Sequence, residues 1–174
     1  VEQSTESCFN SLMQKKIKLD LLYNSAGIID CDNLNEVSAS STEKIYKVNL
    51  IGALLVTRHA IPCLKNSADP VIVNLSSRLG SIEIRGETQL GGAIAYQCSK
   101  AALNMLTKQS AIDLHKHNIR VISQSPGWVK TDMGGKDAKY EIKDAVTKMI
   151  QSLLKMKSDQ TGIFIGEDGD LIPW

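Results

Sequence analysis

Short apolar runs alternate with longer amphipathic segments along this chain, and this alternation strongly limits the folds that it can adopt. Four apolar runs end at polar or glycine-containing turns, as β-strands do; they are residues 19–23, 71–75, 119–123 and 162–165. Apolar residues recur at helical spacing in four longer segments, at 4–16, 42–64, 93–116 and 139–156. Strands that alternate with helices form a parallel sheet covered by helices. The sequence therefore predicts an α/β fold with one domain over residues 1–174.

The ends of the strands indicate where a ligand would bind. In parallel sheets of this kind, ligands bind beyond the carboxyl ends of the strands. Asn24-Ser25-Ala26-Gly27 follows the first strand, Ser77 follows the second, and Pro126-Gly127 follows the third. All three positions carry polar side chains or flexible backbone, so we expect a functional site at this edge.

Two predicted loops and one predicted cap complete the assignment. Residues 28–40 are polar, and residues 78–92 contain four glycines. The second loop has the length that usually signals a function. Ser40 or Ser41 is predicted to cap the helix at 42–64, because serine hydroxyls accept hydrogen bonds from the first free amides of a helix.

Charge and cysteine usage exclude several classes of protein. The net charge of +1 gives no reason to expect nucleic acid as a partner, and no apolar run reaches the roughly 20 residues that span a bilayer. The four cysteines form no CxxC pair, and the three histidines lack metal-ligand spacing, so no metal site is expected. These features favour a reducing, cytoplasmic setting. The chain begins at Val1 rather than methionine, which favours a fragment or a processed product.

Tyr96 and Lys100 lie four residues apart in a segment predicted to be helical, so they share one helix face. A free tyrosine has a pKa near 10, which is too high for efficient proton transfer at neutral pH. Lowering the pKa by about 3 units requires about 4 kcal/mol, and a cation about 4 Å away supplies that much at an effective dielectric of about 20. The pair can therefore form a general acid. The alternative is a half-buried tyrosine beside a solvated lysine, which is the commoner arrangement when so short a pattern occurs alone.

Two polar residues are candidates for the same site. Asn49 lies among apolar residues of a predicted helix, where asparagine is unfavourable; it either bends the helix and holds a water near Lys100 or is simply tolerated there. Ser77 either hydrogen-bonds a substrate carbonyl oxygen or only ends its strand.

The segment Pro126-Gly127-Trp128-Val129-Lys130-Thr131 interrupts the chain after the third strand. Its exposed backbone groups and the Thr131 hydroxyl would suit a ligand that carries an amide. A plain loop breaker is the alternative.

Taken together, these residues resemble the short-chain dehydrogenases/reductases. Five motifs occur in the order and approximate spacing of that family: Asn24-Ser25-Ala26-Gly27, Asn49, Asn74-Leu75-Ser76-Ser77, Tyr96 to Lys100, and Pro126-Gly127. Ser25 departs from the family pattern, which has a second asparagine there. Residues 127–135 and the ending Leu171-Ile172-Pro173-Trp174 resemble the sniffer-type carbonyl reductases and the C-factor group.

The resemblance implies a role for each site residue. Tyr96 would protonate the carbonyl oxygen, Lys100 would lower the pKa of Tyr96 and bind the nicotinamide ribose, and Ser77 would orient the carbonyl. Asn49 would hold the water of a proton relay. The remaining residues would bind the cofactor, with Asn24, Ala26 and Gly27 on its adenosine and ribose side and Pro126, Gly127, Val129 and Thr131 at its nicotinamide end.

The resemblance also implies a Rossmann-like, doubly wound sheet, of which this chain would be the carboxyl-terminal portion. A strand and a glycine-rich turn for the cofactor pyrophosphate normally open the family fold, and the first strand here corresponds to the family's fourth. The implied activity is hydride transfer from NADPH, rather than NADH, to a small ketone, aldehyde or quinone. A homodimer would form through the helices at 42–64 and 93–116. The alternative is a catalytically silent relative that acts in signalling or interaction.

Overall fold

We analysed the fold in a computed structural model, which describes residues 2–86 and 91–174. Five α-helices and four β-strands are assigned in this part of the chain. The helices are α1 (Glu2–Gln14), α2 (Ala39–Tyr46), α3 (Ala53–Leu64), α4 (Ile94–Leu114) and α5 (Ile142–Leu154). The strands are β1 (Leu21–Asn24), β2 (Val71–Leu75), β3 (Arg120–Gln124) and β4 (Phe164–Ile165).

The four strands form one parallel sheet in the order β1-β2-β3-β4. Its register aligns Asn24 with Asn74, and Asn74 with Ser123. All four strands therefore end at the same edge, and this confirms the predicted α/β class.

Helices cover both faces of the sheet. On one face, α1, α3 and α4 pack on Ile72 and Val121. On the other face, Leu153 of α5 packs near Val73 and Ile122. Successive strands follow one another in one direction across the sheet, but α3 and α4 lie on one face and α5 lies on the other. The crossover through α5 therefore has the opposite hand from the crossovers through α3 and α4. Helices therefore cover both faces of the parallel sheet although its strand order runs in one direction.

The predicted helix at 42–64 is interrupted. Between α2 and α3 lies a π-helical segment, Lys47–Gly52, which contains Asn49. Such a segment inserts an extra residue per turn and occurs often at functional sites. The cap prediction was wrong: Ser38 accepts the hydrogen bond from the amide of Ser41, so the helix begins at Ala39.

Other element boundaries shift by one to three residues at most ends, as is usual for frayed helix ends. The predicted loop at 78–92 begins with a short 3-10 turn, Arg78–Gly80, and its residues 87–90 lie outside the part of the chain that the structure describes.

Candidate active site

Tyr96 and Lys100 lie in the first two turns of α4, and both are buried, with 6% and 4% of their surfaces exposed. The Lys100 Nζ atom donates a hydrogen bond of 2.7 Å to the carbonyl oxygen of Leu75, the last residue of β2. The same atom lies 5.6 Å from the centre of the Tyr96 ring. Both side chains therefore face the carboxyl edge of the sheet and not solvent.

Burial, and not the ammonium, dominates the pKa of Tyr96. Desolvation raises this pKa above its ordinary value of 10, and a hydrogen bond with Ser77 lowers it by a smaller amount. The sequence-based expectation that Lys100 lowers the pKa is therefore not met in the chain alone. The phenol stays protonated at neutral pH, which is the form that a proton donor requires.

Burial also holds the pKa of Lys100 at about 8, below its ordinary value of 10.5. In the unfolded chain the lysine is solvated, so between these two values the unfolded state binds more protons than the folded state. The free energy of unfolding should therefore rise with pH across this window. Below it, both states are protonated and the folded chain carries the full cost of the buried charge.

We expect Lys100→Met to remove this part of the pH dependence, a difference of the order of 1–3 kcal/mol between about pH 7 and about pH 10. Urea unfolding of both proteins across this range measures it. Lys47→Met, which changes an exposed lysine, should keep the parental dependence. Superimposable profiles for the parent and Lys100→Met would show that the ammonium is not desolvated.

Asn49 is 1% exposed, which excludes the tolerated, semi-exposed alternative. Its Oδ1 atom accepts from the amide of Ile28 at 2.8 Å, and its Nδ2 atom donates to the carbonyl of Ile28 and to Ser99 Oγ. An amide oxygen has two lone pairs, so one acceptor position on Oδ1 remains for a further donor.

Ser99 is a residue that sequence reasoning missed. Its hydroxyl accepts from Asn49 and donates at 2.7 Å to the carbonyl oxygen of Tyr96. This fully buried side chain links the π-helical segment to the helix that carries Tyr96. Nothing in the local sequence distinguishes it, because its partner lies 50 positions away.

Ser77 lies directly after β2, and its side chain hydrogen-bonds Tyr96. Its oxygen also accepts from the amide of Leu79 at 3.2 Å. Helix α4 holds the turn that follows, since Asn104 accepts from Ser76 and donates to the carbonyl of Gly80. The two predicted catalytic hydroxyls are thus in contact.

Asn24 was assigned to the cofactor by resemblance, but its side chain points towards the helices. Its Nδ2 atom donates to Thr57 at 3.0 Å and to Asn74 at 2.8 Å. Asn74 in turn donates to Thr107, which also accepts from Ser123. These bonds form a polar layer across β1, β2 and β3, one level beneath the strand ends. Buried polar groups need such partners, and the layer fixes the register of the sheet.

Ala26 and Gly27 lie at the end of β1, Ala26 being exposed. A Cβ atom added to Gly27 would lie 3.5 Å from Lys100 Nζ and 3.6 Å from Asn49 Oδ1. An ammonium has three donors, and within residues 2–86 and 91–174 only the Leu75 carbonyl accepts from Lys100. One remaining donor would suit a ribose hydroxyl, and the other would suit a water between Lys100 and Asn49.

The segment from Pro126 to Thr131 follows β3 at the same edge. Val129 pairs with Tyr140, and the Thr131 hydroxyl accepts from the amide of Gly134 at 3.1 Å. In the described ranges, the hydrogen-bond partners of residues 126–131 lie in the same loop or at residues 140–141. None of these hydrogen bonds joins the segment to Tyr96 or Lys100. Thr131 lines an open cleft of about 570 Å³ together with Lys130 and Lys136, so an anionic ligand there would meet two ammonium groups.

Comparison with known proteins identifies the family. A family model described as short chain dehydrogenase matches residues 1–141, so the chain belongs to the short-chain dehydrogenases, which are NAD(P)-dependent oxidoreductases. Among curated relatives, C-signal from Myxococcus xanthus is 34% identical over 158 residues, covering 90% of this chain and 93% of that protein. Several other matching relatives are covered over only about half of their length.

Solved structures agree with this assignment. The NADPH-bound carbonyl reductase from chicken fatty liver is 32% identical, with a TM-score of 0.94 over 100% of this chain and 74% of that one. The carbonyl reductase Sniffer of Drosophila melanogaster is 29% identical, with a TM-score of 0.92 over 99% of this chain and 74% of that one. The sequence-based resemblance to this subgroup is confirmed.

Two features are absent from the part of the chain that the structure describes. No helix in the ranges 2–86 and 91–174 is both long and apolar enough to cross a membrane. In the same ranges, no three His, Cys, Asp or Glu side chains are grouped closely enough to hold a metal ion.

Proposed function

We propose that the protein is a carbonyl reductase that uses NADPH to reduce ketones, aldehydes or quinones. The observation that carries the proposal is the contact between Ser77 and Tyr96, with the Lys100 ammonium 5.6 Å from the tyrosine ring, at the edge where ligands bind parallel sheets. The likeness to an NADPH-bound carbonyl reductase gives further support.

Each catalytic residue has one task in this proposal. Ser77 donates a hydrogen bond to the substrate carbonyl and holds its oxygen next to the Tyr96 phenol. NADPH, when bound by the residues assigned below, would supply the hydride that the carbonyl carbon accepts. As the carbon–oxygen double bond becomes a single bond, the oxygen takes the phenolic proton, and an alcohol leaves.

The phenolate that remains must be stabilised and reprotonated. At pH 7 Lys100 remains mostly protonated, since its pKa is about 8, and its buried charge favours the phenolate more strongly than an exposed charge would. Asn49 supports the return of the proton, because its Oδ1 atom and Lys100 Nζ flank the same position beside Gly27. We assign a water held there to the proton relay.

The cofactor is assigned to residues on two strand ends. Ala26 and Gly27 line its ribose side, with Asn24 supporting them from beneath. Pro126, Gly127, Val129 and Thr131 hold its nicotinamide end.

Calorimetry with NADPH, NADP⁺ and NADH on the whole protein tests this assignment. We expect NADPH and NADP⁺ to bind in the micromolar range and more tightly than NADH. We also expect a simple aldehyde to trigger NADPH oxidation. The preference for NADP(H) rests on the likeness to the carbonyl reductase from chicken fatty liver, whose structure contains bound NADPH. No heat from any cofactor would contradict the proposal.

A second candidate is a catalytically silent relative with a role in signalling or interaction. The match to C-signal, which covers 93% of that protein, is the observation that favours it. The intact set of Asn49, Ser77, Tyr96 and Lys100 argues against it, because a protein without catalytic activity has no physical need for these four residues together. Normal folding without cofactor binding would favour the silent relative.

We place the protein in the cytoplasm and propose that it forms a homodimer. Large apolar side chains are exposed on the two helices that the resemblance assigns to the interface: Ile51 and Leu54 near the start of α3, and Met105 and Ile112 on α4. Light scattering at micromolar concentration distinguishes a dimer from a monomer.

A further inference from the structure

Glu167 is the only buried acidic residue in the ranges 2–86 and 91–174, with 7% of its surface exposed. It lies two residues beyond the end of β4, at the same sheet edge as Ser77 and Gly127. Its Oε2 atom lies 3.4 Å from Nη2 of Arg78. The same nitrogen lies 3.0 Å from Oδ2 of Asp170, whose side chain is half exposed.

Glu167 packs directly against the segment that follows β3. A Cβ atom added to Gly127 would lie 2.9 Å from both Cδ and Oε1 of Glu167. The same atom would lie 2.9 Å from the Tyr140 ring, and Gly127 has a φ of +74°. Only glycine fits here, so the carboxylate contacts the Gly127 backbone with no side chain between them.

Arg78 connects this carboxylate to the catalytic turn. It is the residue directly after Ser77 and opens the turn Arg78–Gly80. A Cβ atom added to Gly166 would lie 2.5 Å from Arg78 Nη2, so the guanidinium is held against the β4 backbone as well. The Arg78 side chain therefore ties the turn that follows Ser77 to the end of β4.

Neutralising Glu167 and neutralising Asp170 should have different effects on the position of Arg78. Glu167 is buried and lies beside Gly127, whereas the Asp170 side chain is half exposed, and an exposed pair contributes little. If Glu167 is neutralised, Arg78 keeps its contact with Asp170 but loses its link to the carboxylate beside Gly127. If Asp170 is neutralised, Glu167 still holds Arg78 beside Gly127.

We propose that Glu167 is a positioning residue that acts through Arg78 to fix the Ser77 hydroxyl relative to the Gly127 backbone. In the proposed function, these are the groups that hold the substrate carbonyl and the nicotinamide end of the cofactor, so the inference rests on that function.

The test compares Glu167→Gln with Asp170→Asn. Each change is nearly isosteric and neutralises one of the two carboxylates that pair with the Arg78 guanidinium. We expect Glu167→Gln to lower kcat about 10-fold or more, because small misplacements of reacting groups are costly, while KM for NADPH stays within about 2-fold of the parent. Asp170→Asn should keep kcat within about 2-fold. A lowered melting temperature with unchanged kcat in Glu167→Gln, or equal losses of kcat in both variants, would overturn the inference.

Amide hydrogen exchange gives a readout that does not depend on activity. The amide of Leu79 donates to Ser77 Oγ, so it reports on the turn directly. Glu167→Gln should speed exchange across residues 77–80, and Asp170→Asn should not. If exchange in Glu167→Gln is unchanged, the positioning role is overturned, whether or not the protein reduces carbonyls. If exchange is faster in Glu167→Gln but the parent shows no turnover, only the proposed function is contradicted.

Discussion

Replacing Tyr96 by phenylalanine should abolish turnover while leaving cofactor binding intact. The change removes only the hydroxyl, which is the proposed proton donor and the partner of Ser77. A positioned general acid contributes about 10²–10⁴-fold, so kcat should fall by at least the lower of these factors. NADPH oxidation with a simple aldehyde measures kcat, and calorimetry measures the affinity for NADPH.

Tyr46→Phe is the matched control, because Tyr46 is a half-buried tyrosine on α2 outside the proposed site. It should keep turnover within about 2-fold of the parent. If Tyr96→Phe keeps turnover within a few-fold of the parent, the proposed acid is wrong.

Replacing Gly80 by alanine should damage both stability and catalysis. A Cβ atom at this position would lie 2.7 Å from Lys100 Cβ and 2.8 Å from the Lys100 carbonyl carbon. These atoms belong to the helix backbone or are fixed to it, so the turn or the helix must move. Overpacking of this kind costs about 1–3 kcal/mol, and displacement of Ser77 from Tyr96 should lower kcat by about 10²-fold. Urea unfolding and steady-state kinetics measure the two effects.

Gly91→Ala provides the control for Gly80→Ala. Among residues 2–86 and 91–174, and apart from its chain neighbour, no atom lies within 4 Å of a Cβ added there, and the φ of Gly91 lies outside the left-handed region. We expect a change of at most about 0.5 kcal/mol and parental kinetics. If Gly80→Ala behaves like Gly91→Ala, the close packing of the turn on α4 has no role in catalysis.

The order of the elements was predictable because it depends on local patterns. The apolar run at 71–75, which ends at a polar turn, indicated a strand, and the structure assigns Val71–Leu75 as predicted. The π-helical segment at Lys47–Gly52 was not predictable in detail, since it depends on the contacts of Asn49 with Ile28 and Ser99 after folding.

The site was predictable where a residue type is unusual in its local setting. Asn49 in a predicted helix and Ser77 after a buried strand were visible for this reason. Ser99 and Glu167 were not, because each depends on a partner at least 50 positions away. The direction of the Asn24 side chain was also hidden, since it depends on Asn74 and Thr57 across the sheet.

The pKa of Tyr96 marks the limit of spacing arguments. The four-residue interval predicted that the cation would lower this pKa, but burial reverses the direction in the chain alone. Depth of burial depends on the packing of α4 against the turn after β2, which no local pattern records.

The fate of the hydride tests the central claim most directly. The whole protein is incubated with an aldehyde and NADPH that carries deuterium at the transferable position, and the alcohol is analysed by mass spectrometry. If Tyr96, Ser77 and Lys100 form a reductase site, each alcohol carries one deuterium on the former carbonyl carbon, and Tyr96→Phe forms none of it above background. Alcohol without deuterium, or labelled alcohol in equal yield from Tyr96→Phe, would contradict the account.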